Sequence, residues 1–239
     1  MRLKDKVSIV TGAGKGIGRS IALALAKEGS QVAVVSRTEK DVNQVVKEIS
    51  DLGGRSKVII ADVSIEEQAK DMVRTVIREF GKIDILVNNA GVSLSSPIME
   101  TKVEDWDRVM GINLRGIFLC SKDVMSIMVK QKIKGTIINI SSMAGKKGYI
   151  NQAAYCASKS GIIGFSKVLA IESRPFGIRV NVICPGGVNT EFIRKMRPDI
   201  PFSDLMQPED VADTVIFLVT QPTRVVIDEV VMRRFANEL

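Results

Sequence analysis

A tyrosine and a lysine lie four residues apart, as Tyr155 and Lys159, and Tyr155 follows Ser142 by thirteen residues. Residues at positions i and i+4 share one face of a helix, so a phenol and an ammonium group can converge on one point. A serine hydroxyl at the end of a preceding strand would complete a site that donates a proton to a carbonyl oxygen. The spacing alone is a weak signal, and its weight depends on the rest of the chain.

The chain of 239 residues contains no histidine, which excludes Ser-His-Asp and Cys-His triads and histidine zinc sites. Acid–base chemistry must therefore come from Tyr, Lys, Asp, Glu or Cys. The cysteines Cys120, Cys156 and Cys184 form no C-x-x-C pair, which favours reduced packing residues of a cytoplasmic protein. A reactive role for Cys156, beside Tyr155, is the alternative. No metal site is expected.

The net charge of +7 indicates either an anionic ligand or partner, or simply a solvated basic surface. Aromatic residues make up only 5% of the chain, and no basic stretch carries interleaved stacking residues, so we expect no nucleic-acid binding. There is no signal-peptide pattern and no apolar run of transmembrane length, so we expect a cytoplasmic protein without a membrane role.

Short apolar runs alternate with longer amphipathic stretches. The runs predict buried strands at Val7–Val10, Val32–Val35, Val58–Ala61, Ile83–Val87, Thr136–Ile140, Ile178–Ile183 and Val225–Val231. The stretches predict helices at Ile17–Glu28, Glu39–Leu52, Ile65–Phe80, Val103–Lys130, Ala153–Arg174 and Pro208–Thr220. Repeated β-α units predict an α/β fold of the Rossmann type, a doubly wound parallel sheet of about seven strands with helices on both faces.

No linker or shift in composition divides the chain, so we expect a single domain over residues 1–239. The least regular segment, residues 191–207, contains Pro198 and Pro201 and is a candidate substrate lid. Helix ends are marked by Gly29 and Gly81, which suit C-terminal caps, and by Ser64, which we expect to cap the third helix.

The turn after the first strand, Thr11–Gly18, is rich in glycine and reads Thr-Gly-Ala-Gly-Lys-Gly-Ile-Gly. Glycines at Gly12, Gly16 and Gly18 let the backbone turn sharply and approach a pyrophosphate. The N–H groups at the start of the next helix, near Gly16 and Ile17, would face the anion. The pattern therefore predicts a dinucleotide-binding turn.

The end of the second strand discriminates between the two nicotinamide cofactors. NAD is held by an acid that accepts the ribose 2′-hydroxyl, but Ser36 and Arg37 stand at that place and the next carboxylate is Glu39. Arg37, with Lys15 as a second cation, would bind a 2′-phosphate. The sequence therefore favours NADP(H), the alternative being that both cations are merely solvated.

Together these features resemble the short-chain dehydrogenase/reductase family along almost the whole chain. The resemblance is carried by the glycine turn, by Asp62 after the third strand, by the Asn-Asn-Ala-Gly segment at residues 88–91, and by Asn113. Ser142, Tyr155 and Lys159 follow, and then Pro185-Gly186 and Thr190 after the sixth strand. Any one of these matches is modest, but their common order and spacing make coincidence implausible.

The resemblance implies a role for each matching position. Asp62 and Val63 should contact the adenine, while Asn88 supports the central strand. The remaining cofactor contacts fall on Asn89, Ala90, Gly91, Pro185, Gly186, Val188 and Thr190, with Tyr155 and Lys159 also touching the cofactor.

The catalytic roles fall on four residues. Tyr155 would be the acid in reduction and, as phenolate, the base in oxidation, and Lys159 would favour the phenolate electrostatically. Ser142 would hold the carbonyl oxygen, although Ser141 is adjacent. Asn113 would hold a water that links Lys159 to solvent, unless its amide only caps or kinks the helix.

The chain thus predicts an NADPH-dependent oxidoreductase that reduces a carbonyl to an alcohol. Its middle resembles 3-oxoacyl-[acyl-carrier-protein] reductases, but its C-terminal segment lacks their glycine-rich stretch and resembles shorter carbonyl reductases. A 3-oxoacyl thioester is the leading substrate. The alternatives are a small-ketone or sugar alcohol dehydrogenase and, in another class, a non-catalytic NADP-binding sensor or scaffold.

Partners and pocket residues are less sharply indicated. Acyl carrier protein is a candidate partner through the basic residues Lys130, Lys132, Lys134 and Arg174, unless these are solvated helix ends. The family resemblance implies a homotetramer or homodimer. Mostly apolar residues are candidates for the substrate pocket: Ser93, Leu94, Ala144, Tyr149, Gly187, Phe192, Ile193, Met196 and Phe202.

Overall fold

The computed structural model describes residues 1–196 and 201–235. Within these residues, seven parallel strands form one sheet: β1 (Val7–Thr11), β2 (Gln31–Ser36), β3 (Ser56–Ile60), β4 (Ile85–Asn88), β5 (Thr136–Ile140), β6 (Arg179–Pro185) and β7 (Glu229–Met232). Their order in the sheet is β3-β2-β1-β4-β5-β6-β7. The order reverses between β1 and β4, and a ligand crevice lies at such a switch point in sheets of this kind.

Helices connect the strands. They are α1 (Gly16–Lys27), α2 (Glu39–Asp51), α3 (Glu66–Phe80), α4 (Val103–Met110), α5 (Gly116–Lys130), α6 (Ala153–Ser173), α7 (Glu191–Met196) and α8 (Pro208–Val219). A π-helical turn, Gly111–Arg115, joins α4 to α5, and short 3₁₀ turns lie at Ile98–Glu100, Met143–Gly145, Arg174–Phe176 and Phe202–Asp204.

The core lies on both faces of the sheet, because alternate residues of each buried strand point in opposite directions. On β2, Val32 and Val34 pack with α1, α2 and α8, whereas Ala33 and Val35 pack with α3, α5 and α6. These side chains are fully buried, and each such valine stabilises the fold by roughly 1.5–3 kcal/mol. Because helices cover both faces of the sheet, nearly every residue of a central strand must be apolar. The predicted doubly wound parallel sheet is confirmed.

Most predicted elements lie within two residues of their observed bounds, and three expectations were wrong. The predicted helix over residues 103–130 is interrupted by the π-helical turn. The last strand is shorter than predicted, beginning at Glu229 rather than Val225. Ser64 does not cap α3, because its hydroxyl donates to Asp62 Oδ1 at 2.6 Å and Ile65 occupies the capping position.

The glycine caps were predicted correctly. Gly29 and Gly81 have φ angles of +92° and +80°, a conformation that residues with a Cβ atom rarely adopt. Each follows the last turn of a helix, α1 and α3 respectively.

The segment at residues 191–207 is more regular than expected. It contains α7, the 3₁₀ turn at Phe202–Asp204 and a parallel bridge between Val188 and Met206. Residues 197–200 of the candidate lid lie outside the described residues, and its role as a lid stays a prediction. Within the described part of the chain, no helix is both long and apolar enough to cross a membrane.

Candidate active site

Ser142 and Tyr155 approach each other across the end of β5 and the first turn of α6. Ser142 begins the 3₁₀ turn after β5, where its Oγ accepts a hydrogen bond from Ala144 N at 3.1 Å, and its side chain lies close enough to Tyr155 to lower the pKa of the phenol. The neighbouring Ser141 hydroxyl is engaged elsewhere, since it donates to Lys159 O at 2.8 Å. The geometry therefore favours Ser142 over Ser141 as the partner of Tyr155.

Burial dominates the ionisation of Tyr155. It raises the pKa of the phenol to about 12, and the nearby Ser142 side chain only partly opposes this. Burial is thus the largest influence on this pKa, and the expected stabilisation of the phenolate by Lys159 stays a prediction. A phenol with this pKa stays protonated at neutral pH and is ready to act as an acid.

Lys159 lies beside Tyr155 and is almost fully buried. Its Nζ donates to Ile140 O at 2.9 Å and lies 5.7 Å from the centroid of the Tyr155 ring. Burial lowers the pKa of Lys159 to about 8. The ammonium charge near Tyr155 is therefore sensitive to pH just above neutrality.

Asn113 sits in the π-helical turn between α4 and α5 and is completely buried. Its amide nitrogen donates to Val92 O at 2.9 Å and to Ser158 Oγ at 3.0 Å, and its Oδ1 accepts from Val92 N at 2.8 Å. A Cβ atom added at Gly91 would lie 3.3 Å from this Oδ1 and 3.7 Å from Lys159 Nζ. The amide thus lies near Lys159, and its role in holding a water stays a prediction.

The glycine turn packs closely against the end of β4. A Cβ atom added at Gly12 would lie 2.8 Å from Ala90 Cα, and one at Gly18 would collide with Gly12 O. Asn89 closes this junction, since its Nδ2 donates to Thr11 O at 3.0 Å and to Gly12 O at 3.1 Å. Close backbone packing therefore leaves no room for a side chain at Gly12 or Gly18, and the space above the turn stays open as a cradle for a ligand.

The donors at the start of α1 suit an anion in this cradle. No side chain caps the helix, and no acidic residue lies in its first turn, so its first N–H groups keep their capacity for a ligand. Lys15, Gly16 and Ile17 line a cavity of about 1120 Å³ that continues to Ser142, Tyr155 and Lys159. The backbone donors, the glycine cradle and the cavity fit a dinucleotide.

Both cations expected to bind a 2′-phosphate are already paired with carboxylates. Arg37 Nη1 lies 3.2 Å from Asp62 Oδ2, and Lys15 Nζ lies 3.5 Å from carboxylate oxygens of Asp41 and Glu191. Burial opposes ionisation of Asp62, but hydrogen bonds from Ser64 and the charge of Arg37 keep its pKa below the ordinary value. The sequence interpretation overlooked Asp41, which approaches Lys15 from α2.

The other expected cofactor residues divide into two groups. The following line the cavity: Gly12, Arg37, Asn89, Ala90, Gly91, Pro185, Gly186, Val188 and Thr190. The following do not line it: Gly18, Ser36, Asp62, Val63 and the catalytic candidate Asn113. Val63 is buried instead against the start of α5, where a Cβ atom at Gly116 would lie 2.9 Å from Val63 Cγ2.

Asn88 supports the centre of the sheet as expected. Its Nδ2 donates to Ser121 Oγ at 2.9 Å and to Asn139 Oδ1 at 2.8 Å, and Asn139 Nδ2 donates to Ser166 Oγ at 2.9 Å. This buried polar chain ties β4 and β5 to α5 and α6, the helix that carries Tyr155 and Lys159.

The substrate end of the cavity is less apolar than the sequence suggested. Six of the pocket candidates line it: Ser93, Ala144, Tyr149, Gly187, Phe192 and Ile193. Leu94 does not, and the side chains of Met196 and Phe202 lie outside the described residues. The sequence interpretation missed Lys147, Arg233 and Arg234, which also line the cavity. The parallel pairing of β7 with β6 was the available signal, because it brings the residues after both strands to the same edge.

No group of acidic, cysteine or histidine side chains suited to a metal ion occurs among the described residues. The three cysteines are free thiols, and burial raises the pKa of Cys120 to about 12. The cavity lining around Ser142 includes the phenol of Tyr155 and the ammonium group of Lys159.

Comparisons with known proteins agree with this arrangement. A family model described as short chain dehydrogenase matches residues 6–201. A protein of Synechocystis named 3-oxoacyl-[acyl-carrier-protein] reductase is 40% identical over 226 residues, which cover 92% of this chain and 91% of that one. Its namesake from Thermotoga maritima is 36% identical over 239 residues and covers 97% of both chains.

Solved structures are similar along the whole chain. A metagenomic short-chain oxidoreductase in complex with NADP superimposes with a TM-score of 0.87 at 32% identity, covering 99% of this chain and 100% of that one. A short-chain type dehydrogenase/reductase from Mycobacterium marinum gives a TM-score of 0.91 at 32% identity, covering 96% and 94% of the two chains.

Proposed function

Because the chain belongs to the short chain dehydrogenase family, we propose that it is an NADPH-dependent reductase of carbonyl compounds, with a 3-oxoacyl thioester as substrate. One observation carries the proposal: Ser142, Tyr155 and Lys159 meet in a cavity that runs on over the glycine turn. The names of the relatives support the substrate, and the NADP complex of a similar structure supports the cofactor.

Bound NADPH would supply the hydride. Lys15, Arg37 and the first N–H groups of α1 would hold its phosphates, while Gly91, Gly186 and Val188 would line the surface around it. The Ser142 hydroxyl donates to the carbonyl oxygen and orients it toward Tyr155. Tyr155 then gives its proton to that oxygen as negative charge develops there.

Lys159 stabilises the phenolate that Tyr155 becomes, because an ammonium group nearby favours the charged form. Asn113 holds the segment around Val92 and, through Ser158, the backbone near Tyr155. We assign it to the proton path from Lys159, as the family resemblance implies.

The wider setting is part of the same proposal. We assign the whole chain to one cytoplasmic domain, with acyl carrier protein as a partner for the basic residues Lys130, Lys132, Lys134 and Arg174. Exposed apolar side chains on α5 and α6, namely Phe118, Val168 and Ile171, support a homotetramer or homodimer formed through these helices.

Replacement of Tyr155 tests the proposed chemistry. Tyr155→Phe removes only the hydroxyl, so NADPH oxidation with a panel of acyl thioesters, ketones and sugars should fall by at least about 100-fold. NADPH binding, measured by fluorescence, should persist. Tyr149→Phe makes the same change at the other tyrosine of the chain and should retain the chemical step. Undiminished turnover by Tyr155→Phe would show that the mechanism is wrong.

A further inference from the structure

The walls of the cavity are strongly unbalanced in charge. Among the described residues that line it, one is acidic, Glu191, whereas eight are basic: Lys15, Arg37, Arg108, Lys147, Lys159, Arg194, Arg233 and Arg234. Six of these have an assigned role or a partner. Lys15 and Arg37 are assigned to the cofactor phosphates, Lys159 is next to the proposed proton donor, and Arg108 pairs with Asp105 at 3.1 Å. Arg194 donates to Asn189 Oδ1 at 2.9 Å, and Arg234 also has a partner, so Arg233 and Lys147 are the two that have neither an assigned role nor an ion pair among the described residues.

Arg233 is the clearest case, because no carboxylate of the described residues pairs with it. It forms no ion pair within residues 1–196 and 201–235, and its side chain is exposed. Lys147 also has no ion pair there, and its Nζ lies over the Tyr149 ring at 5.3 Å from the centroid. An arginine lining a cavity offers several N–H donors in a fixed fork, which matches a carboxylate or a phosphate.

Strand pairing places Arg233 beside the reaction centre. In the register of β6 and β7, Pro185 lies opposite Met232, and Gly186 N donates to Met232 O at 2.8 Å. Arg233 therefore follows directly, and its Cα would lie 3.8 Å from a Cβ atom at Gly186. The same Cβ position lies 3.7 Å from Met143 Cγ, and Met143 is the residue after Ser142.

The adjacent segments are held together. Lys146 forms an ion pair with Glu229, which fastens the turn after Ser142 to the start of β7. Arg234 reaches across Gly187, where a Cβ atom would lie 3.5 Å from its Cδ. Arg233 and Arg234 therefore lie on the side of the cavity that contains Ser142, and not at the end that contains Arg37.

We propose that Arg233, with Arg234 and Lys147 beside it, binds an anionic group on the carbonyl substrate, so that among carbonyl compounds, 3-oxoacyl thioesters included, the site prefers those that bear a carboxylate or phosphate. The inference rests on the proposed function, because the anion belongs to the molecule being reduced. Arg233 is then a specificity-determining residue, because it affects which substrate binds. Tyr155 and Lys159 take part in the reduction of any carbonyl substrate.

Two matched substrate pairs test the proposal. Acetoacetate and methyl acetoacetate share the ketone and differ in the carboxylate, whereas dihydroxyacetone phosphate and dihydroxyacetone differ in the phosphate. The measured quantity is the ratio of kcat/KM within each pair, anion over neutral. In Arg233→Gln at least one ratio should fall about tenfold, because a charge-assisted hydrogen bond is lost. The pair that responds identifies the carboxylate or the phosphate.

Arg224→Gln is the matched control, an exposed arginine outside the cavity, and both ratios should stay at the wild-type value. Using the ratio removes any general loss of folding or of catalysis, since both members of a pair share it. If neither ratio falls in Arg233→Gln, or if the KM for NADPH alone changes, the proposal is overturned.

A measurement without turnover separates this proposal from the proposed function. In the absence of cofactor, the anionic compound of the responding pair should raise the Tm of the wild type more than that of Arg233→Gln. If no carbonyl is reduced by the wild type, the proposed function fails, and the thermal shift with acetoacetate and dihydroxyacetone phosphate still decides the anion site. Equal shifts in wild type and variant would overturn it.

Discussion

At the scale of single residues, Tyr155 and Lys159 are perturbed in opposite directions by the same cause. Burial disfavours whichever form is charged, so the pKa of the phenol rises to about 12 and that of the ammonium group falls to about 8. The acid of the proposed reaction is thereby kept protonated, while its electrostatic helper titrates close to physiological pH.

The first prediction is a pH dependence of reduction that follows Lys159. The pKa of Lys159 lies below its ordinary value of 10.5, so the ammonium charge is present below about pH 8 and is lost as the pH rises through that value. Because the charge stabilises the developing phenolate, kcat for reduction should be flat below pH 8 and should fall above it. Steady-state rates measured from pH 6 to about pH 10 check this.

Lys159→Arg provides the comparison, because a guanidinium group keeps its charge throughout this range. Any residual activity of that variant should not show the fall near pH 8. A profile of the wild type that continues level to pH 10 would contradict the assignment of this step to Lys159.

The convergence of the proposed catalytic residues was predictable from their order and spacing along the chain. Ser142, Tyr155 and Lys159 do converge, because an i,i+4 pair on a helix and a strand end have fixed geometry. The charge environment was less predictable. Asp41 lies on α2, far from Lys15 in sequence, and only the packing of α2 reveals their 3.5 Å ion pair. The raised pKa of Tyr155 likewise depends on burial, which spacing does not report.

At the scale of elements, the position of α6 depends on close packing at one glycine and not at another. A Cβ atom at Gly145 would lie 2.7 Å from the backbone oxygen of Lys159, whereas one at Gly164 would have nothing within 4 Å. Gly145 belongs to the 3₁₀ turn that follows Ser142, and Gly164 lies on the exposed face of α6. An alanine at Gly145 therefore reports the cost of close packing, whereas an alanine at Gly164 reports helix propensity alone.

The second prediction is a pair of opposite changes in the free energy of unfolding. Gly164→Ala should stabilise the dissociated chain by about 0.5–1 kcal/mol, because alanine loses less conformational entropy in a helix. Gly145→Ala should destabilise it by about 1–3 kcal/mol, because the backbone of α6 must move. Urea denaturation measures both. Equal effects of the two substitutions would show that Gly145 does not set the distance between the turn and α6.

Some element boundaries were predictable from the sequence and others were not. Strands β1, β2 and β5 were predicted closely because their apolar runs are continuous. The π-helical turn at residues 111–115 was not predicted, because one extra residue per turn hardly changes the spacing of apolar residues along the helix. Strand β7 was misplaced because Val225–Ile227 is as apolar as the strand itself, and the strand begins only where pairing with β6 begins.

At the scale of the whole molecule, cofactor binding should stabilise the fold, because a ligand that binds only the native state adds to its stability. At about 100 times the Kd the gain is about 2.7 kcal/mol, which corresponds to a rise in Tm of roughly 5–10 °C for a chain of this size. The third prediction is that NADPH raises the Tm more than NADH does at equal concentration.

Arg37→Asp should reverse this order, because the new carboxylate repels a 2′-phosphate and accepts a ribose hydroxyl. Arg224→Asp makes the same change of charge outside the cavity and should keep the wild-type order. Arg37 is already paired with Asp62, so the substitution also leaves the Asp62 carboxylate without its cation. Two carboxylates would then repel the 2′-phosphate, and the reversal should be measurable. A larger shift with NADH in the wild type would contradict the cofactor assignment.

The place of β7 at the edge of the sheet has a consequence for local dynamics. It is four residues long and, in the described part of the chain, hydrogen-bonds to one neighbour, β6. Such a strand opens at a lower free energy than the central strands, and amide hydrogen exchange should report this. Each opening carries Arg233 and Arg234 away from Gly186 and Gly187. A substrate held by Arg233 would therefore slow exchange along β7, and the fraction of molecules with β7 paired would in turn limit the apparent affinity for that substrate.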